Sequence, residues 1–124
     1  PDSTGIGKMR WPVRGRVISG FGSGKDGIDI AVPEGTPVKA AENGVVIYAG
    51  DGLKEFGNTV LVRHENGLVT VYGHASSLEV KRGEKVKRGQ EIAQSGMSGD
   101  ATSPQLHFEV RKNSAPVDPK TFLE

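Results

Sequence analysis

The 124-residue chain is long enough for one domain with a single modest core. Its formal net charge of +1 gives no whole-protein attraction to nucleic acid, and the absence of cysteine excludes a disulfide framework or a thiolate metal site. No apolar run reaches the ~18 residues of a membrane-spanning helix, and no signal peptide is recognisable.

Eighteen glycines and seven prolines are too many for a helical protein, because both residues weaken helix interiors. Residues 1–9 are polar and glycine-bearing and read as a flexible linker remnant of a longer protein, with whatever targets that protein lying elsewhere. The folded domain is expected over residues 10–124, from the Trp11-Pro12-Val13 region to Phe122-Leu123, without an internal boundary. Arg16-Val17-Ile18 reads as a short strand. Pro37–Ala41 is expected to meet Val45–Ala49 across Asn43-Gly44, since Asn-Gly favours the positive φ of tight hairpins. Thr59–Arg63 is expected to pair with Leu68–Tyr72 across Glu65-Asn66-Gly67, and Lys85–Lys87 with Gln90–Ile92 around Gly89. The basic run Lys81, Arg82, Lys85, Lys87 and Arg88 fits a solvated hairpin whose charges discourage edge pairing, or a contact for an anionic partner or cell-wall polymer. Gln105–Arg111 is the last long strand, and Pro119–Phe122 holds at most a turn of helix. The fold class is all-β, a compact antiparallel β-sandwich or sheet of short hairpins.

Side chains two apart on a strand share a face. Leu106, Phe108 and Val110 therefore form an apolar face, with Gln105, His107, Glu109 and Arg111 opposite. Tyr72 and His74 are expected to share one face, and Asp29 to point away from Ile28 and Ile30. If these polar faces converge, they floor a groove. His64, at a hairpin end, reads as an ordinary polar residue.

The succession Gly27-Ile28-Asp29-Ile30, Gly35-Thr36-Pro37-Val38, Gly57-Asn58-Thr59-Val60, Tyr72-Gly73-His74 and Leu106-His107-Phe108-Glu109 resembles the lysostaphin/LytM-type zinc peptidases that cut peptidoglycan cross-bridges. The resemblance runs from Trp11 to Leu123 and implies the LytM fold, a duplicated hybrid motif. It places the family's three zinc ligands at Lys25, Asp29 and His107, and its two catalytic histidines at His74 and Gln105. Two of the five positions have changed. Catalytic zinc needs about three protein ligands and an open site for water. A lysine charge ~4 Å from a divalent ion costs roughly 8 kcal/mol at an effective dielectric near 20.

The departures fit a narrower resemblance, to the degenerate LytM domains of envelope amidase activators of the EnvC, NlpD and DipM type. That implies a domain with no metal, no cofactor and no enzymatic activity. Its expected partner is a peptidoglycan amidase, N-acetylmuramoyl-L-alanine amidase, and its setting the periplasm or cell envelope of a Gram-negative bacterium during cell division. The groove residues expected to hold the partner are Lys25, Asp29, Tyr72, His74, Gln105 and His107, with Phe56 and Met97 as apolar anchors on mobile rims. The Lys25 ammonium is expected to pair with Asp29 where the metal would sit. A peptidoglycan-binding module and a residual zinc endopeptidase are the alternative functions.

Overall fold

A computed structural model describes residues 2–124. The strands in chain order are β1 (Arg16–Ser19), β2 (Ile28–Ala31), β3 (Pro37–Lys39), β4 (Gly44–Leu53), β5 (Gly57–Arg63), β6 (Leu68–Leu78), β7 (Lys85–Val86), β8 (Glu91–Ser95), β9 (Gln105–Lys112) and β10 (Ala115–Val117). Short 3-10 turns occupy Glu65–Gly67 and Pro119–Thr121. All pairings between strands are antiparallel, in the order β1-β2-β9-β6-β5-β4-β7, with β10 on β9. The far end of β6 leaves this path to pair with β8, which in turn pairs with β3. The all-β, antiparallel reading of the sequence is therefore correct.

Of the three expected hairpins, one forms as expected. β5 and β6 pair across Glu65-Asn66-Gly67, where Asn66 and Gly67 take φ values of 62° and 73°. The Asn43-Gly44 hairpin does not form: β3 pairs with β8, and β4 with β5 and β7. Neither residue adopts positive φ. Gly44 instead provides room, since a Cβ there would lie 2.6 Å from the Arg63 carbonyl oxygen. Asn43 ties three segments together: its carbonyl accepts from His64 Nδ1, and its side-chain oxygen accepts from the Arg88 amide. The expected pairing of the segments flanking Gly89 fails in the same way, β7 going to β4 and β8 to β3 and β6. Local turn chemistry identified these bends, but burial of the strands chose their partners.

One apolar cluster holds the layers together. Val46, Val60, Val62 and Phe108 from the main sheet meet Val38, Ile92 and Ala93 from the β3–β8 pair. Each large side chain so buried contributes about 1.5–3 kcal/mol. Met9 belongs to this cluster, is 5% exposed and bridges Leu123, so the packed unit starts within the segment expected to be linker. Further out, Thr4 bonds the Glu42 carboxylate through both its amide and its hydroxyl. Among the described residues, no helix is long and apolar enough to cross a membrane.

A buried polar chain threads the core. The Asn43 carbonyl, His64, Thr70 Oγ1, Tyr72 Oη and the Ala41 amide are linked by contacts of 2.7–3.0 Å. Burial holds the Tyr72 phenol up at about 12 and pulls His64 down, so both are neutral. Tyr72 is thus a core residue and does not face the groove, which corrects the expectation. Tyr72→Phe removes the acceptor for the buried Ala41 amide and is expected to destabilise the fold by about 1–3 kcal/mol in urea denaturation. An unchanged midpoint would contradict the role given to this chain.

Candidate functional site

The groove floor is built by register. In β2, β9 and β6, Asp29 lies opposite His107 and His107 opposite Gly73. The next step in β6 is irregular: Tyr72 pairs with Val60 but Ala75 with Asn58, so β6 carries one extra residue there. This bulge sits at Gly73-His74, with His74 at φ 66°. A bulge re-aims side chains, so Tyr72 turns into the core while His74 faces out beside Gly73. Simple alternation assigned Tyr72 to the wrong side because it cannot anticipate that extra residue. A β-branched or bulky residue at such a φ costs on the order of 1–3 kcal/mol, and His74 is held there by bonds from its amide to the Phe56 carbonyl and from Nδ1 to the Ser98 carbonyl. A carbonyl only accepts, so Nδ1 carries the proton.

Phe56 closes the floor from above, stacked on the His107 ring with centroids 4.7 Å apart and planes 21° from parallel. Gly73 permits this, because a Cβ there would come within 3.2 Å of Phe56 Cβ and 3.4 Å of His107 Cβ. The result is a hollow of ≈ 450 Å³ lined by Lys25, Asp29, Phe56, His74, Gln105 and His107 among others. Six of the eight residues expected from the sequence are therefore brought together. Met97, 41% exposed, lies outside this lining, as does the buried Tyr72.

The electrostatic centre is His107. Its Nδ1 lies 2.8 Å from Asp29 Oδ1 and its Nε2 2.7 Å from Glu109 Oε2. Arg111 Nε donates to the other Glu109 oxygen at 2.7 Å, and Arg111 Nη2 lies 3.6 Å from Asp26. Desolvation alone would depress His107, but the hydrogen bonds and charges of Asp29 and Glu109 outweigh it and raise its pKa to about 9. Burial alone would raise Glu109; bonding to His107 and Arg111 instead holds its carboxyl below the usual range. Glu109 is fully buried and was not among the expected site residues. Its position two residues from His107 on the same strand was the available signal.

Lys25 does not pair with Asp29. It closes a tight turn through reciprocal backbone bonds with Gly22, its side chain is exposed, and it makes no ion pair among the described residues. The cation beside Asp29 is His107 instead.

The sequence pattern of peptidase family M23 matches residues 23–119. The chain belongs to peptidase family M23. It is 44% identical to the cell division protein DipM of Caulobacter vibrioides, over 98% of this chain and 22% of that protein. It is 39% identical to the murein hydrolase activator NlpD of Escherichia coli, over 98% of this chain and 32% of that protein. The chain thus spans about a fifth to a third of these relatives. Among solved structures, a zinc-containing peptidase from Vibrio cholerae superposes with a TM-score of 0.83 at 35% identity, over 90% of this chain and 39% of that one. M23 membership implies a zinc site, and the residues can be tested against it. Asp29 and His107 are adjacent, but among the described residues no group of three His, Cys, Asp or Glu side chains is placed to hold a metal ion.

A protonated His107 binds its carboxylates most strongly, so the stability it contributes is present below the unfolded value of 6.5 and is lost as pH rises through about 9. NMR titration of its ring is expected to give an apparent pKa near 9 in the native protein and a lower one in Glu109→Gln. A ring titrating near 6.5 in the unmodified protein would contradict the clamp.

Proposed function

We propose that this domain is a non-catalytic activator in peptidoglycan hydrolysis, holding a segment of a partner hydrolase in its groove without cutting it. The observation that carries the reading is the lining of the groove at the position the family resemblance gives to a third zinc ligand: it is Lys25, whose ammonium has no lone pair while protonated, and among the described residues no three His, Cys, Asp or Glu side chains are grouped to hold a metal ion. Without a zinc-bound water, no hydroxide nucleophile is generated at neutral pH. Gln105, at the position of a catalytic histidine, can donate a hydrogen bond from its amide but cannot relay a proton. What the groove retains is a concave polar floor with an aromatic wall at Phe56, suited to gripping a peptide.

The names of the similar proteins support the same direction, one a murein hydrolase activator and one a cell division protein. We take the partner to be an N-acetylmuramoyl-L-alanine amidase and the setting to be the Gram-negative periplasm, with the relatives named lipoproteins as support. The partner-binding residues in this reading are Lys25, Asp29, Phe56, His74, Gln105 and His107. The groove binds the open form of the amidase better than its closed form, and activation is the resulting shift in population.

Three incubations with purified cell wall test this: the domain alone, an amidase alone, and both. Release of wall fragments only in the joint incubation, reduced at least tenfold by Phe56→Ala, is the expected outcome. Pelleting with the wall without stimulation would favour a peptidoglycan-binding module. Chelator-sensitive release by the domain alone would mean a zinc endopeptidase.

A further inference from the structure

The outward face of the main sheet continues past the groove. Two residues along from the Asp29–His107–Gly73 row, Glu109 pairs with Val71 and Val71's neighbour in β5 is Leu61. Two residues further lies a row that crosses five strands: Lys85, Val45, Arg63, Val69 and Arg111, each opposite the next. The sheet face therefore grades from a polar groove through an aliphatic band to a row in which cations and valines alternate. The band is concave: Ile47, Leu61, Val69 and Val71 line a hollow of ≈ 460 Å³ together with Leu53 at the end of β4 and Phe56 from the β4–β5 turn. Leu53 is 39% exposed.

The cations of the row differ. Arg111 is neutralised by Glu109 and Asp26. Arg63 and Lys85 are exposed and have no ion-pair partner among the described residues. They stand two strands apart, about 10 Å at the usual strand spacing. On the other side of the hollow the border is acidic, with exposed Glu55. A flat anionic bilayer is a poor match for an aliphatic floor that is recessed and edged by a carboxylate.

We infer that this face is a second docking surface, adjoining the groove and sharing Phe56 with it, for an amphipathic protein segment whose apolar stripe fills the Leu61–Val69–Val71 hollow and whose two carboxylates, about 10 Å apart, meet Arg63 and Lys85. A helix supplies that spacing with acidic residues seven positions apart, about 10.5 Å along its axis. The apolar contact supplies the binding free energy and the ion pairs set orientation and partner choice. It also gives Lys85, one member of the basic run seen in the sequence, a use beyond discouraging edge pairing. The inference does not rest on whether the domain activates a hydrolase.

The test uses isotope-labelled protein and a synthetic helical peptide carrying a leucine stripe with glutamates seven apart beside it. Saturable NMR shifts are expected at Leu61, Val69 and Val71, with His74 and Gln105 unmoved. Binding is expected to weaken with added salt and to fall about tenfold in the Arg63→Glu/Lys85→Glu double variant, whose exposed positions leave the fold intact by circular dichroism. A peptide with lysines in place of the glutamates is expected to bind the unmodified protein poorly and the double variant better. The inference is overturned if no shift appears at these residues at millimolar peptide, if the shifts fall in the groove, or if charge reversal changes nothing. It is also overturned if sedimentation shows a dimer burying the same face, or if anionic vesicles or purified wall bind the protein through Arg63 and Lys85 while the peptide does not.

Discussion

A carboxylate with no solvent exposure needs full compensation in charge and hydrogen bonds, and Glu109 receives it from two sides. Arg111 takes one oxygen and His107 the other, and the far nitrogen of His107 reaches Asp29. This clamp fixes the imidazole plane, and the fixed plane gives Phe56 a surface on which to stack. Phe56 in turn anchors the His74 backbone through its carbonyl, so the bulge that aims His74 into the groove is tied to the same centre. Removing one partner from such a network leaves the others buried without compensation, which is why its members act as a unit.

The same clamp engages both nitrogens of the imidazole that zinc would need. With Nδ1 on Asp29 and Nε2 on Glu109, His107 is held by bonds within the protein at both ends. An M23 fold can therefore keep the shape of its groove floor through hydrogen bonding and ion pairing alone. Lys25 takes no part in this clamp, since it is exposed in its turn and makes no ion pair among the described residues. In the proposed function, the groove is a rigid receptor because its floor is cross-linked by charge.

Much of this was legible in the sequence, and the exceptions share a cause. Strand positions, the all-β class and the convergence of Asp29, His74, Gln105 and His107 followed from periodicity and from motif resemblance. The β5–β6 hairpin followed from the positive φ available to Asn66-Gly67. Asn43-Gly44 carried the same dipeptide and forms no such hairpin, because Gly44 is needed for close packing and β3 finds a better-buried partner in β8. Tyr72 was misplaced because one extra residue in β6 inverts alternation, and no local signal marks it besides the Gly73-His74 pair itself. Glu109 was assigned to the right face but overlooked, since a charged strand residue ordinarily reads as solvated. The cross-sheet row of Arg63 and Lys85 is set by long-range register, which the sequence does not express.

Direct metal analysis of the purified protein, after supply of zinc and removal of unbound ion, tests the central claim most plainly. With His107 bonded to Asp29 at one nitrogen and to Glu109 at the other, the protein is expected to retain far less than one zinc per chain, and the NMR signals of the groove should not move on titration. One tightly held zinc per chain, displacing the Asp29–His107 hydrogen bond, would contradict the account.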